Sequence, residues 1–423
     1  MSARIERITF PGSGGDDLAA RLDLPAGPPR AFALFAHCFT CGKDLRSAGR
    51  LATALTEAGY GVLRFDFTGL GRSGGDFSNT NFSSNTEDLL LAVDWLRENR
   101  RAPQLLVGHS LGGTAVLSVA ARVEEVEAVV TIGAPADVGH LTGLFEQSLD
   151  EIEEAGEATV HLAGREFCIR RQFLDDLTTH TVSERVASLD AALLVMHSPI
   201  DNTVGVENAA EIFAAARHPK SFVALDGADH LLSAPGDAEF AAAMIAAFAT
   251  RHVRDESGAL DPPEPDTSDR SVLVAETSQG TFLNHVVVGP HRLLADEPTS
   301  VGGFDAGPAP YDLLGAALGA CTSMTLRLYA DRKDLPVDRI TVEVEHGKVH
   351  LEDCEVCVDD ERFDDVGGGR VDRFERSITL EGADLSDDDR NRLLAIADRC
   401  PVHRTLEATS AIATRLTEPP TDA

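Results

Sequence analysis

The feature that most constrains the fold is a repeated alternation of short apolar runs with amphipathic stretches over the first 255 residues. Segments such as 85–99 and 235–252 have helical periodicity, whereas the apolar runs have the length and composition of strands. Strands that are apolar throughout are buried on both faces, as in a parallel sheet covered by helices. We therefore predict an α/β domain whose strands lie at Ala31–His37, Gly61–Phe67, Gln104–His109, Val126–Gly133, Ala192–His197 and Ser221–Leu225.

A break in composition follows at residues 255–270, "DESGALDPPEPDTSDR". Prolines, acids and small residues cannot build a core, so this segment is predicted to be a linker. The chain would then consist of a first domain at 1–254 and a second domain at 271–423. Both are long enough to bury a core of their own.

The second domain has a different order of predicted strands and helices. Two strand patterns precede a long helix from about Pro310 to Arg332, and two more strands follow. Another helix would begin after Ser386, a good N-cap, and would end before Pro401. With a last strand at Thr409–Leu416, this order indicates an α+β domain.

Charge and composition limit the kinds of partner that the protein can bind. The formal net charge is −32, and the only lysines are Lys43, Lys220, Lys333 and Lys348. Nucleic acids are bound by clustered Lys and Arg, so we predict no nucleic-acid partner. We see no apolar run long enough to span a bilayer and no signal-peptide core in "MSARIERITF", so we expect a cytoplasmic protein without a membrane partner. The acidic, lysine-poor surface suits a halophile's cytoplasm, with an Arg-rich coding bias as the alternative.

The strongest motif is "GHSLGG" at residues 108–113, directly after an apolar strand and at the start of a helical run. This is the setting of a nucleophile elbow, in which glycines allow a sharp turn that lifts Ser110 above the sheet. A serine hydroxyl needs a base that is held by an acid. The alternative is a Gly-rich turn with an idle serine.

Two later loops supply the expected partners in the expected order. Asp201 follows the strand that ends at His197, and His230 follows the strand that ends at Leu225. Both would lie at the carboxyl edge of the sheet, where such folds build their sites. We therefore predict Ser110 as nucleophile, His230 as base and Asp201 as its acid. The competing candidates are Asp190, Asp226 and Asp229 for the acid and His109, His197, His218 and His252 for the base.

With these motifs, residues 1–255 resemble an α/β-hydrolase. The resemblance implies that "AHCFTCGKD" is the loop that completes the oxyanion hole, with Cys38 where the family usually has glycine. The donors would be the backbone N–H groups of Phe39 and Leu111. Cys38 and Cys41, spaced as C-x-x-C, then need no redox or metal role. "DFTGLGRSGG" at 66–75 also resembles the family, and we interpret it as a structural turn.

The insertion from Ala136 to about Arg185 is predicted to form a lid of a helix and a hairpin over Ser110. Cys168 within it is interpreted as a packing residue.

The second domain resembles the OsmC/Ohr family, on "GPAPYDLLGAALGACTSMTLRLYA" and "CPVH". By that resemblance Cys321 would be a peroxidatic thiol and Cys400 its resolving partner. The substrates would be an organic hydroperoxide and a dithiol reductant, and the fold would form an intertwined homodimer. The alternative from the helical spacing is that Cys321 is a buried apolar residue.

The sequence departs from that family at two places. Tyr311 stands where its peroxidases have Glu, and "SQGTF" offers Gln279 but no activating Arg. Because the thiolate is the nucleophile, a nearby cation matters. Arg292 and Arg327 are the candidates for such a cation.

One further cluster, "HGKVHLEDCEVC", contains His346, His350, Cys354 and Cys357. These are residue types that zinc accepts, and the hypothesis is a structural zinc site. The alternative is a loop with two incidental thiols. No cofactor is required for the predicted chemistry.

The leading interpretation is a serine hydrolase that cleaves a small-molecule carboxylic ester, fused to an OsmC-like thiol domain. One alternative makes peroxide reduction the main activity, with an accessory hydrolase domain. Another makes the OsmC-like part a dimerisation or binding module without catalysis.

Overall fold

The computed structural model describes residues 4–37, 42–137, 148–162, 165–177, 182–260, 262–263, 271–351 and 370–416. Its contacts divide the chain into two compact units. The first comprises residues 1–292 and 302–306, and the second comprises 293–301 and 307–423.

The first unit is built on an eight-stranded sheet in the order β1-β2-β4-β3-β5-β6-β9-β10. The six strands from β4 to β10 pair in parallel, whereas β1 and β2 add antiparallel pairs at one edge. All six strands predicted from apolar runs are confirmed. The strands are β1 (Arg4–Pro11), β2 (Asp17–Leu24), β3 (Ala31–Ala36), β4 (Tyr60–Phe65), β5 (Leu105–His109), β6 (Ala128–Ile132), β9 (Ala192–His197) and β10 (Lys220–Ala224).

Helices cover both faces of this sheet. They are α1 (Arg46–Glu57), α2 (Phe82–Asn99), α3 (Leu111–Val119), α6 (Val182–Ala187), α7 (Glu207–Ala215) and α8 (Pro235–His252). One core cluster includes Leu89 of α2, Val116 of α3 and Ile212 of α7. The other includes Leu51 of α1 and Ile245 of α8. Two separate cores on one sheet explain why its central strands are apolar throughout.

The strands β1 and β2 were missed by the sequence analysis. Their sequences, "RIERITFP" and "DLAARLDL", are each interrupted by three charged residues, so neither is a continuous apolar run. They form the antiparallel edge of the sheet, where one face can stay in water.

The described part of the insertion contains α4 (Leu149–Ala155), a hairpin of β7 (Glu157–Leu162) and β8 (Arg165–Arg170), and α5 (Arg171–Leu177). The predicted hairpin is confirmed. Asp176 accepts hydrogen bonds from the backbone N–H and the hydroxyl of Ser83, at 2.7 and 2.6 Å. The insertion is thereby fastened to the first turn of α2.

A small sheet of β11 (Val272–Glu276), β12 (Asn284–Val288) and β13 (His291–Ala295) follows. The composition of the sequence predicts that β11 and β12 belong to the second domain, but their contacts lie with the first unit. Leu260 donates a backbone hydrogen bond to Thr277, and the Gln279 side chain donates to the carbonyl of Ser257.

The second unit contains α9 (Pro310–Arg332), β14 (Arg339–His350), β15 (Arg370–Glu381), α10 (Asp387–Ala397) and α11 (Pro401–Glu407). The strands β14 and β15 form a long antiparallel pair. Helix α9 packs on β14, where Gly315 and Gly319 lie close to Val344. Ser386 caps α10 as predicted, accepting from the backbone of Asp389. The buried core of the second unit includes Leu326, Leu393 and Ala397.

The helical spacing of the sequence predicts a buried face of α9 that includes Leu318, Met324 and Leu328, but the structure buries only part of it. Leu318, Thr322 and Leu326 are buried, whereas Met324 and Leu328 are 67% and 71% exposed. By length and composition alone, α9 could cross a membrane, but the core helices of soluble proteins can have the same length and composition. Among the described residues, α9 is the only helix of this kind.

One prediction for the end of the chain was wrong. Thr409–Leu416 is exposed and forms no strand, because no neighbouring strand pairs with it among the described residues. The prediction that α10 ends before Pro401 is confirmed, since its last residue is Ala397. Pro401 begins the further helix α11, in the first helical position, where proline is favoured.

Candidate active site

The turn between β5 and α3 has the geometry of a nucleophile elbow. Ser110 has φ 55° and ψ −127°, a strained conformation for a residue with a side chain. A Cβ atom on Gly108 would lie 2.3 Å from the carbonyl oxygen of Gly112. One on Gly112 would lie 2.2 Å from the carbonyl oxygen of Ala36, so the elbow sits directly against the end of β3. Only glycine fits at these two positions.

The structure brings Ser110, His230 and Asp201 together. His230 Nε2 lies 3.0 Å from Ser110 Oγ, and His230 Nδ1 lies 2.7 Å from Asp201 Oδ2. The Asp201 side chain is 1% exposed and that of His230 is 10% exposed. The three residues form one continuous chain of hydrogen bonds with the serine at its accessible end.

The environment of Asp201 favours the ionised form of its carboxyl group. Burial raises its pKa, but hydrogen bonds from His230 and from the backbone N–H groups of Val204 and Thr203 outweigh burial and lower the pKa. Asp201 therefore stays ionised beside the imidazole. A carboxylate on Nδ1 leaves Nε2 free to take a proton from Ser110.

Two histidines that competed for the role of base support the site instead. His109 is buried, and its Nε2–H donates to the backbone carbonyl of His230 at 2.6 Å. His197 is also buried, and its Nε2–H donates to the carbonyl of Val204 at 2.8 Å. Each histidine ends a strand and holds the loop that carries His230 or Asp201.

The other competitors lie outside the chain of hydrogen bonds. Asp190, His218 and Asp226 are exposed, and His252 is in the last turn of α8. Asp229 accepts from the backbone N–H groups of Leu231 and Ser233, so it shapes the loop that carries His230.

A buried carboxylate holds the two flanks of the predicted oxyanion loop. Asp66 Oδ1 lies 3.6 Å from His37 Nε2 and accepts from the backbone N–H of Lys43 at 2.6 Å. Asp66 Oδ2 accepts from Lys43 Nζ at 2.8 Å and from the backbone N–H of Arg72 at 3.0 Å. Burial raises the pKa of Asp66, but these contacts outweigh it and hold the pKa far below the ordinary value. Asp66 therefore does more than shape the turn that the sequence indicated.

The structure describes only one of the two predicted oxyanion-hole donors. Phe39, like Cys38 and Cys41, lies outside the described residues. Leu111 is the first residue of α3, and the N–H of a first helical residue has no partner within the helix. This N–H is therefore available to a carbonyl oxygen, which becomes negatively charged when a serine attacks the carbon that carries it.

In the second unit, the structure brings Cys321 and Cys400 together. Both are free thiols, and their side chains are in hydrogen-bonding contact. Cys400 is buried, whereas Cys321 is partly exposed. The other free thiol among the described residues, Cys168, lies in the first unit, and burial raises its pKa.

The cation near these thiols was missed by the sequence analysis. Arg376 of β15 donates to the Thr322 hydroxyl at 2.8 Å, and Thr322 contacts Cys400. The earlier candidate Arg327 donates instead to the carbonyls of Val337 and Asp338. No sequence signal could find Arg376, because it is 54 residues away from Thr322 along the chain.

The predicted zinc ligands are only partly described. His346 stacks on Tyr311 at 4.1 Å and bonds Asp372, whereas His350 accepts from Arg370. Among the described residues, no group of three His, Cys, Asp or Glu side chains is placed to hold a metal ion. The cysteines at 354 and 357 lie outside the described residues, so the zinc site stays a prediction.

Comparisons with known proteins assign a family to each part of the chain. Residues 27–154 match the family model of serine aminopeptidase, S33, and residues 303–415 match that of OsmC-like protein. Among solved structures, the esterase domain of a Rhodothermus marinus protein is 50% identical. It covers 59% of this chain and 99% of that domain, with a TM-score of 0.51.

Other relatives agree with this assignment. Mouse palmitoyl-protein thioesterase ABHD10, mitochondrial, is 37% identical over 105 residues, which are 24% of this chain and 34% of that protein. The chain thus spans about a third of the length of the first curated relatives that it matches. The solved structure of mouse ABHD10 shares the fold, with a TM-score of 0.50 at 22% identity over 58% of this chain and 99% of that one. The chain therefore belongs to the α/β-hydrolase family in its N-terminal part and carries an OsmC-like domain at its C-terminal end.

Proposed function

We propose that the N-terminal domain is a serine hydrolase that cleaves a carboxylic ester through an acyl-Ser110 intermediate. The observation that carries the proposal is the chain of hydrogen bonds from Asp201 through His230 to Ser110, with contacts of 2.7 and 3.0 Å. Since each contact is already at hydrogen-bonding distance, no rearrangement is needed before the proton moves.

In this mechanism His230 Nε2 accepts the Ser110 proton as the oxygen attacks the carbonyl carbon. Asp201 stabilises the imidazolium and keeps the ring in the required tautomer. The N–H of Leu111, with that of Phe39 as the predicted second donor, would stabilise the oxyanion, and one such donor contributes on the order of a hundredfold or more to the rate. His230 then gives the proton to the leaving alcohol. In the second half of the reaction, His230 accepts a proton from a water that attacks the acyl-enzyme, and the carboxylic acid leaves Ser110.

The substrate class rests on the comparisons as well as on the site. A relative that is 50% identical over the whole of its length is described as an esterase domain, and shorter matches are to a palmitoyl-protein thioesterase. Esters and thioesters are attacked by the same acyl-transfer mechanism and differ in the leaving group. We therefore infer an ester as the primary substrate and a thioester as the next to assay.

The test is hydrolysis of short-chain aryl esters by the full chain, with fluorophosphonate labelling and peptide mapping. We expect turnover, a label on Ser110 and loss of both in Ser110→Ala. Ser118→Ala is the matched control, because the Ser118 hydroxyl lies in the same helix and donates only to the carbonyl of Thr114. Undiminished hydrolysis by folded Ser110→Ala would refute the assignment.

A second proposed function belongs to the OsmC-like domain: reduction of an organic hydroperoxide by Cys321 and Cys400. The contact between the two free thiols supports it, because a sulfenic acid formed on one thiol would then lie beside the thiol that resolves it. With dithiothreitol as the reductant, cumene hydroperoxide should be consumed by the full chain and by Cys168→Ser, but not by Cys321→Ser. A wild-type rate at background would leave this domain without that activity.

We also propose that a second copy of the chain covers the exposed apolar residues of this domain, which include Leu314, Met324 and Leu328 of α9. Exposed apolar area of this kind marks interaction surfaces. Light scattering should then give twice the chain mass of 45.1 kDa, and a monomer would exclude it.

A further inference from the structure

The guanidinium group of Arg376 joins two helices of the second unit. Its Nη1 donates to the Thr322 hydroxyl of α9 at 2.8 Å and to the carbonyl of Ala397, the last residue of α10, at 3.1 Å. Its Nη2 donates to Asp398 Oδ1 at 2.8 Å. Because Arg376 itself belongs to β15, three separate segments of the chain meet at this one side chain.

The contacts of Nη1 carry most of this attachment. The Arg376 side chain is 12% exposed, and its two Nη1 acceptors lie on fully buried residues. A buried donor or acceptor that loses its partner stays unpaired, so these two contacts are costly to break. The carbonyl of Ala397 has no partner within its own helix, and a cation at a helix C-terminus is favourable. The Asp398 side chain is mostly exposed, so its pairing with Arg376 contributes less.

Both Nη1 acceptors are directly connected to a cysteine. Thr322 follows Cys321 in the sequence, so Arg376 holds the turn of α9 that carries Cys321. The carbonyl of Ala397 also accepts from the backbone N–H of Cys400 at 3.3 Å. Arg376 and Cys400 therefore share one acceptor at the point where α10 ends and the connection to α11 begins.

We propose that Arg376 is a positioning residue of the thiol pair, which holds the end of α10 against α9 so that Cys400 lies within reach of Cys321. The two thiols are on different segments, so the way in which these segments are joined sets the separation of the sulfurs. Apolar contacts also join α9 to α10, but they are not directional, whereas hydrogen bonds fix a position within a narrow range. This role rests on the proposed hydroperoxide reduction, in which one thiol must reach the sulfenic acid formed on the other.

Exchange with glutathione measures this positioning directly. Cys321 and Cys400 form an S–S bond, the S–S bond of glutathione disulfide breaks, and each of its halves leaves as reduced glutathione, so that protons and electrons balance. The equilibrium constant of this exchange has the unit of a concentration and rises with the effective concentration of one thiol at the other. A pair that is held in place therefore has a larger constant than a pair that can move apart.

The experiment equilibrates the full chain with mixtures of reduced and oxidised glutathione. Peptide mass spectrometry after alkylation measures the fraction that contains the Cys321–Cys400 disulfide. We expect Arg376→Gln to lower the equilibrium constant by about tenfold, because a misplacement of about 1 Å can cost a reaction about a hundredfold. Thr322→Val, which removes one Nη1 acceptor at nearly constant volume, should act in the same direction, and Thr322→Ser should restore the wild-type constant.

Arg390→Gln is the matched control. Arg390 belongs to α10, and its Nη1 donates to the carbonyl of Leu380 in β15 at 2.9 Å, so it joins the same helix to the same strand. Since this contact is near the start of α10, away from both thiols, Arg390→Gln should keep the wild-type constant. A constant for Arg376→Gln that is unchanged, or no lower than that of Arg390→Gln, would overturn the proposal. If circular dichroism shows that Arg376→Gln does not fold, Thr322→Val decides by the same criterion.

The glutathione equilibrium involves no hydroperoxide, so the positioning role and the proposed peroxidase function can fail separately. A chain in which Arg376→Gln lowers the constant as expected, but which consumes no cumene hydroperoxide, would refute the peroxidase function alone. A chain that consumes cumene hydroperoxide, but whose constant Arg376→Gln leaves unchanged, would refute the positioning role alone.

Discussion

Replacing His109 with glutamine should remove a large part of the acid sensitivity of the hydrolase domain. Burial lowers the pKa of His109 from 6.5 to about 4, with a further lowering from the nearby His230. The folded domain therefore keeps His109 neutral at a pH at which the unfolded chain binds a proton. Since the unfolded state takes up the extra proton, stability is full above about pH 6.5 and falls as the pH decreases towards 4.

The size of the effect follows from the two pKa values. At about pH 5, an unfolded pKa of 6.5 and a folded pKa of about 4 give a loss of about 2 kcal/mol. The loss approaches about 3 kcal/mol near pH 4. This is a large fraction of the stability of an ordinary domain. The glutamine amide can still donate to the carbonyl of His230 but does not titrate.

The assay is urea unfolding of wild type and variant near pH 8 and near pH 5, followed by tryptophan fluorescence. Trp95 is the only tryptophan in the sequence and lies in α2, so the signal reports the first unit alone. Between these pH values His109→Gln should lose about 2 kcal/mol less than wild type. The control is His291→Gln, which changes an exposed histidine and should behave as wild type. Equal losses in wild type and His109→Gln would refute the reasoning.

Two further changes test the supports of the site. Gly108→Ala should lower esterase turnover by about a hundredfold, because its Cβ would collide with Gly112 and displace Ser110. Gly236→Ala, where a Cβ would meet nothing within 4 Å, should keep full turnover, and equal rates for the two variants would contradict the packing argument. Asp66→Asn should destabilise the first unit by about 1 to 3 kcal/mol, because Lys43 loses its buried carboxylate partner and keeps only the half-exposed Asp44, at 3.1 Å. Urea unfolding monitored at Trp95 measures this, and a loss below about 1 kcal/mol would count against it.

Much of the first unit could be predicted because its information is local. Strands buried on both faces are apolar at every position, so the six parallel strands were visible in the sequence. The strained turn at Ser110 requires glycines at 108 and 112, and these are visible too. Asp201 and His230 follow strand ends, and parallel strands place such ends along one edge of the sheet.

What could not be predicted depends on contacts between distant segments. The exposed edge strand β1 has no continuous apolar run, and its partner strand is what makes it a strand. The contact of Arg376 with Thr322 depends on the pairing of β15 with β14, the strand on which α9 packs. The segment Thr409–Leu416 shows the reverse case, since a strand-like pattern does not form a strand without a neighbour. The helix that begins at Pro401 could not be predicted either, because its N-cap is the thiol of Cys400 and not one of the usual N-cap residues.

The attachment of the insertion between β6 and β9 has a consequence for how such a protein can diversify. Its described part is fastened at Ser83, on the opening turn of α2, while Ser110, Asp201 and His230 are held from strand ends beneath. Residues of the described insertion can therefore change without altering the strand ends that hold Ser110, Asp201 and His230. Grafting this segment from a relative would show whether it sets the substrate preference of the proposed hydrolase.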